Sequence, residues 1–192
     1  MAETPRFFVD VGSPYAWLAA ERVESVLGSE AVWEPVLLGA VFAARGWGSW
    51  SLTDARAQGI EEVERRALAY GLGPMRWPEP WPGNTLLAMR AATAAAEAGF
   101  ARAFLLAALR LGFRDGRDLS DPAAVADAAS AAGIEGEALL SAASTPEVKA
   151  ALRERTDAAV ALGVRGVPSV VVGDQAFWGD DRLEDAARAL SV

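Results

Sequence analysis

The sequence predicts an α/β fold in which one sheet is built from both chain ends and a block of helices is inserted between them. Three observations carry this. Residues 7–38 and 163–190 hold short apolar runs of strand period, punctuated by glycine turns. Residues 42–145 for the most part repeat apolar side chains at helical spacing. The 192 residues, 52% of them hydrophobic, suffice for one compact core with an insertion.

Taken in order, Phe7, Val9 and Val11 alternate with Phe8 and Asp10, which is the period of a strand. Gly12-Ser13-Pro14 ends it. Pro14, with a fixed φ and no N–H, suits the first position of a helix running to about Leu27. Gly28 stops that helix, and residues 31–38 supply a second apolar strand ending near Gly39. From Ala40 the texture changes. Gly46-Trp47-Gly48-Ser49-Trp50 reads as a loop, 59–70 as a helix, and 71–83, rich in Gly, Pro and Trp, as an ordered loop. Helical patterns follow at 84–98, 100–112, 122–132, 136–143 and 146–162. Asp121-Pro122 and Thr145-Pro146 are cap-plus-proline starts. After the Gly163 to Pro168 loop come a strand at 169–172, a Gly173-Asp174 turn, a strand at 176–178 and a closing helix at 182–190. A β-α-β opening and a β-β-α finish sharing one sheet is the plan of a thioredoxin-like fold with a large all-helical insertion. The expected division is 1–41 and 146–192 for the thioredoxin-like domain, and 42–145 for the inserted helical domain.

Composition removes whole classes of chemistry. Without cysteine there is no disulfide scaffold and no CxxC redox cycle; without histidine, the usual general base and the commonest zinc ligand are missing. A net charge of −8 with no compensating Lys/Arg block weighs against nucleic acid and anionic membrane surfaces as partners. The longest apolar runs, such as Phe104 to Leu109 and Val167 to Val172, are too short to cross a bilayer. The opening Met1 to Arg6 lacks the basic start and apolar stretch of a secretory leader, so the expected compartment is the cytoplasm. No metal site is expected, Asp180 and Asp181 reading as capping or solvent-facing carboxylates.

Ser13 is the sharpest candidate. It stands at the start of a predicted helix, where unpaired N–H groups favour an anion. It reads either as an ordinary N-cap or as a hydroxyl donating to an anionic ligand atom. A hydrolase nucleophile does not fit, because there is no His to activate it and no GxSxG elbow. Val167-Pro168 joins a glycine-rich loop to a β-branched strand. A cis peptide there would leave backbone groups of Val167 free to pair with an extended ligand; a trans peptide would make an ordinary loop proline. Trp47, Trp50, Trp77 and Trp81 either line an aromatic pocket or fill the core, and Asn84 or Thr85 either belongs to that pocket or caps a helix. Asp180, Asp181 and Arg182 either cap the closing helix or meet the charged ends of a ligand.

Three stretches then resemble a known family in order and spacing: Gly12-Ser13-Pro14-Tyr15-Ala16-Trp17-Leu18; Pro82-Gly83-Asn84-Thr85 with Met89-Arg90 behind it; and Gly163-Val164-Arg165-Gly166-Val167-Pro168-Ser169 followed by Phe177-Trp178-Gly179-Asp180-Asp181-Arg182-Leu183. They are similar to the 2-hydroxychromene-2-carboxylate isomerases, close to kappa-class glutathione transferases and to the DsbA-like disulfide oxidoreductase superfamily. The resemblance implies a homodimer that binds glutathione, acts on a small aromatic substrate and carries a cis Val167–Pro168 peptide. By the same match, Ser13 is the catalytic serine, and Val167, Pro168, Asp181, Arg182 and Asn84 bind the cofactor. Tyr15, Trp47, Trp81 and Trp178 are the expected substrate pocket. The implied reaction interconverts 2-hydroxychromene-2-carboxylate and trans-o-hydroxybenzylidenepyruvate, or related aromatic-catabolism intermediates, by transient thiolate addition to an alkene. A kappa-like transferase forming stable conjugates, and a non-catalytic thioredoxin-like thiol-binding module, are the alternatives. One departure stands out. Trp47 occupies the place of a family asparagine, and an indole cannot reproduce the paired hydrogen bonds of an amide.

Overall fold

The structure is a computed structural model that describes residues 4–191; the leader reading on Met1 to Arg6 lies partly outside them. β1 (Arg6–Val9) is buried on both faces. Phe7 and Val9 enter the main core, while Phe8 enters a smaller one with Val36, Ala159, Val164, Val167 and Val171. Two buried faces mark a central strand. β2 (Val32–Pro35) runs parallel to β1 on one side, and β3 (Ser169–Val172) antiparallel to it on the other. β4 (Gln175–Trp178) completes the order β2-β1-β3-β4. In this register Phe7 faces Trp33 edge-on, with ring centroids 4.8 Å apart.

The helix expected over 14–27 is two helices, α1 (Pro14–Ala20) and α2 (Val23–Leu27). Tertiary pairing opposes continuity at the break. Glu21 accepts from Arg110 at 2.6 and 2.7 Å, while Arg22 reaches Glu184 at 2.8 Å and lies 3.6 Å above the Tyr70 ring. The strand expected to end near Gly39 stops at Pro35, and α3 (Leu38–Arg45) follows. Periodicity could not show α3, because only Val41 of its residues is buried.

A short turn of 3₁₀ helix at Trp50–Leu52 leads into α4 (Arg56–Ala69), α5 (Leu86–Glu97), α6 (Ala101–Phe113), α7 (Pro122–Ala131), α8 (Gly136–Ala143), α9 (Pro146–Ala161) and, after the hairpin, α10 (Leu183–Leu190). Asp121 and Thr145 cap α7 and α9 by accepting backbone N–H bonds, as their spacing predicts. Alanine lets the helices approach closely: Ala88, Ala91, Ala92 and Ala95 of α5 are all fully buried. Phe104, Leu105, Leu109 and Phe113 of α6 are buried in the main core, which also holds Phe7, Val9 and Trp17. The architecture is a thioredoxin-like core with a large all-helical insertion. Among the described residues no helix is long and apolar enough to cross a membrane.

Candidate active site

A cleft of about 530 Å³ opens where the chain leaves β1. The β1–α1 loop, the start of α3, the Trp50 turn, Arg66 of α4, the Trp81–Thr85 loop, Val167-Pro168 and the end of β4 all contribute walls. Its size lies within the range of small-molecule pockets.

Ser13 sits on the floor, 4% exposed. Its Oγ accepts from Ala16 N–H at 3.3 Å, so it is the N-cap of α1. The hydroxyl also donates to the Val167 carbonyl at 3.4 Å, across from a Val167–Pro168 peptide that is cis. Only the Val167 bond uses the O–H, and it is long, so a stronger acceptor could capture the proton. The helix behind it has only seven residues, so the hydroxyl matters more here than any dipole.

Asp10 ties three loops beneath Ser13. Its Oδ1 accepts from Gly12 N–H at 2.8 Å and from the Thr85 hydroxyl at 3.3 Å, while Oδ2 accepts from Leu38 N–H at 2.8 Å. The last bond satisfies the first orphan donor of α3, a helix whose own N-cap Leu37 offers no side-chain acceptor. Gly12 stands in this crowded spot: a Cβ there would lie 3.3 Å from Asp10 Oδ1 and from Thr85, and both would have to give by a few tenths of an ångström.

Charge gathers at the other end. Asp180 is 1% exposed and accepts from Arg66 Nη1 at 2.8 Å and from the Tyr70 hydroxyl at 3.1 Å. Asp181 keeps a half-exposed carboxylate 3.5 Å from the same Arg66 nitrogen. Gly179 makes room for it, at φ 126°, where an added Cβ would stand 2.4 Å from Asp181 Oδ1. Burial opposes the charge on Arg66, but its hydrogen bond to Glu62 and the charges of Asp180 and Asp181 hold its pKa above the ordinary arginine value. Burial, with Asp180 adding to it, raises the Tyr15 phenol against the pull of Arg66, which leaves that hydroxyl a donor.

Burial is also the largest influence on Asp10 and Asp180, raising both above the ordinary 3.8 against their hydrogen-bond donors. Between 3.8 and these raised values the folded state holds protons that the unfolded chain has released. This contribution to stability is therefore full below 3.8 and is lost as pH rises through the folded values. Asp115 behaves oppositely: its bond to Arg114 lowers it, and that contribution fades as pH falls. Carboxyl carbon-13 titration should show Asp10 and Asp180 protonating above 3.8 and Asp115 below it. Asp10 titrating below 3.8 would mean that its three donors outweigh burial.

Aromatic rings make the remaining wall. Tyr15 meets Trp50 edge-on at 6.1 Å, and Trp50 meets Trp81 at 5.4 Å. Trp77 backs Trp81 at 4.5 Å from outside the cleft lining. Trp178 lines the cleft and is seated against Gly166, where a Cβ would fall 2.6 Å from its Nε1.

Of the residues singled out in the sequence, the cleft gathers Ser13, Tyr15, Trp50, Trp81, Thr85, Val167, Pro168, Trp178, Asp180 and Asp181. Four lie outside its lining, Trp77 among them as the ring behind Trp81. Asn84 is exposed and its Oδ1 accepts from Leu86 N–H, the helix-start role weighed as its alternative. Arg182 is turned to Asp185, which also pairs with Arg188. Trp47 is stacked on Trp178 at 5.5 Å and remains 44% exposed, so it supports a wall rather than forming one. Asp10 and Arg66 were missed as site residues. Arg66 had no signal, being one charge on an exposed-looking helix; an acid at the end of an apolar strand was the available clue for Asp10.

A thioredoxin fold with a serine at the helix start, an aromatic cleft and no thiol anywhere in the chain defines the class: a thioredoxin-fold protein that cannot run disulfide exchange with its own residues. Residues 6–191 match the DSBA-like thioredoxin domain, and the chain belongs to that family. Among solved structures it is similar to a 2-hydroxychromene-2-carboxylate isomerase, with 22% identity, a TM-score of 0.85, and coverage of 98% of this chain and 95% of that one. It is also similar to a probable DsbA oxidoreductase of Streptomyces coelicolor, at 22% identity and TM-score 0.74, covering 98% and 89%. A third is the cytosolic disulfide reductase DsbM of Pseudomonas aeruginosa with GSH, at 14% identity and TM-score 0.65, covering 98% and 96%. At these identities the likeness carries the fold. A comparison with curated proteins gave no match.

Proposed function

We propose that this protein is a glutathione-dependent isomerase of 2-hydroxychromene-2-carboxylate or a related aromatic-catabolism intermediate. The observation that carries the reading is the loosely held Ser13 hydroxyl, facing an aromatic cleft in a chain without cysteine or histidine. The lining suits glutathione at two of its ends. Ser13 and the Val167 backbone suit the cysteinyl part, and the half-exposed Asp181 carboxylate suits the γ-glutamyl ammonium. Arg66 is the one cation among the described lining residues, and carboxylates already engage it. Bound glutathione would supply the nucleophilic thiol that the protein lacks, for reversible addition to an activated alkene. The Ser13 hydroxyl then donates to an anionic sulfur, Tyr15 and Trp50 exclude water, and Trp81 bounds the aromatic part of the substrate. Arg66 keeps the acidic end from repelling a substrate carboxylate.

Calorimetry with glutathione, followed by turnover of 2-hydroxychromene-2-carboxylate, tests this. Isomerised product with the thiol regenerated is the expected result; a stable conjugate would indicate a transferase, and no thiol binding would remove the reading. Asp181→Asn should weaken glutathione roughly 10- to 100-fold, the worth of a hydrogen bond to a charged group. It should leave the unfolding midpoint nearly unchanged, since exposed ion pairs contribute about 0–1 kcal/mol. Full affinity in that variant would place the ammonium elsewhere.

A further inference from the structure

Gly59 is the fourth residue of α4, a place where the helix backbone gives no reason for glycine: its φ is not positive, and its N–H bonds normally to Ala55 at 2.9 Å. Glycine is the least favoured helix residue after proline. The space around it supplies the reason. A Cβ built on Gly59 would lie 2.2 Å from Cζ3, 2.3 Å from Cε3 and 2.8 Å from Cη2 of Trp50. Those atoms are the benzo edge of a rigid ring, which cannot bend away as a flexible chain end would. The Trp50 indole therefore occupies the volume of the missing side chain, lying directly against the helix backbone.

The same face of α4 holds the rest of the cleft's wall. Arg56, one turn before Gly59, donates to the Trp81 carbonyl at 2.9 Å and lies 5.6 Å from the centre of its ring. Arg66, seven residues after Gly59, lines the cleft and lies 5.6 Å from the Tyr15 ring centre. Positions i−3, i and i+7 share one side of a helix. One element thus contacts the three adjoining rings of Tyr15, Trp50 and Trp81, all of which line the cleft, and holds them in their mutual tilt. Ser49 and Ser51, which also line the cleft, brace the Trp50 turn with their hydroxyls 2.6 Å apart.

We propose that Gly59 is a positioning residue that sets the ligand specificity of this cleft: by seating Trp50 against α4 it holds the wall open to a flat aromatic ring and closed to a thick, saturated one. The assignment rests on the isomerase reading only for the identity of the reaction, since the shape argument needs no thiol. Any side chain at 59 would drive the Trp50 ring off its seat and into the space where the guest ring lies.

The test uses two probes with one carbon skeleton, 2-naphthoate and its saturated counterpart decahydro-2-naphthoate, titrated into the whole chain. The wild type should prefer the flat acid about tenfold, the worth of well-placed aromatic contacts. Gly59→Ala should lose that preference while its affinity for glutathione changes less than about twofold. Because a purely structural defect would weaken both probes alike, the ratio is the diagnostic quantity. The double variant Gly59→Ala with Trp50→Phe, whose smaller ring vacates the clash, should recover most of the preference, and Trp50→Ala alone should lose it without any change to the helix. No preference in the wild type, an unchanged ratio in Gly59→Ala, or no recovery in the double variant would overturn the proposal. A wild type that binds no glutathione but prefers the flat acid, with that preference lost in Gly59→Ala and recovered in the double variant, would instead sink the isomerase reading and leave this one standing.

Discussion

On the proposed glutathione-dependent reading, replacing Ser13 with alanine should raise the pKa of bound glutathione by about one to two units and slow turnover by about one to two orders of magnitude. The figure follows from one hydrogen bond to a charged partner, worth about 1.5–3 kcal/mol, at 1.4 kcal/mol for each pKa unit. Two contacts make the change local. The Ser13 hydroxyl now reaches the Val167 carbonyl only at 3.4 Å, so the carbonyl loses little when it goes. Its other role, accepting from Ala16 N–H at 3.3 Å, is an N-cap, and losing it should cost about 1 kcal/mol, or roughly 2–4 °C in melting temperature for a chain of this size. Thiolate absorbance of the glutathione complex against pH, in wild type and variant, reads the first effect directly. An unchanged thiol pKa with unchanged turnover would take Ser13 out of the mechanism. A covalent adduct on its oxygen would make it the nucleophile instead.

Arg66→Met should be the more damaging change to the fold, lowering stability by about 3 kcal/mol and the melting temperature by roughly 6–12 °C. Asp180 explains why. Its carboxylate is 1% exposed, and removing the guanidinium 2.8 Å away leaves a buried charge with only Tyr70 as a side-chain partner. The loss falls at the low end for a broken buried pair, because Asp180 already has a raised pKa and can take up a proton. Urea unfolding at neutral and mildly acidic pH separates these contributions: the deficit should shrink as the pH falls and Asp180 is neutralised. Pairing Arg66→Met with Asp180→Leu should recover much of the loss, since an apolar pair of similar size often replaces a buried ion pair at little cost. A loss below about 1 kcal/mol in the single variant would show that water reaches Asp180 after all.

The parts of the site that could be read in advance share a property. Ser13, Val167-Pro168 and Asp181 sit at junctions between elements, where local rules about proline, glycine and caps leave a mark in the residue order. Trp81 and Trp178 were legible through composition, as large rings in places a surface loop does not need them. Asn84 and Arg182 were placed by resemblance, and the structure puts both outside the cleft lining, each satisfied by a partner two or three residues along the chain. Short-range partners of this kind win because ordering them costs little entropy. Arg66 and Asp180 meet across 114 residues, and the sequence spacing carries no trace of that pairing.

By itself, the sequence determined that this chain folds as α/β with strands at both ends and helices between, because alternation and helical spacing are written residue by residue. It also determined that no protein thiol or imidazole takes part in any chemistry here, because neither residue type is present. Tertiary structure alone decided where the first long helix breaks, that a helix follows Pro35, and which charges are buried together. It also decided that Trp50 lies on Gly59 while Trp47 stacks on the outer side of Trp178. The physical reason is the range of the forces involved. Propensity and caps act within about one turn of chain, whereas burial and ion pairing depend on neighbours that only the closed fold brings together.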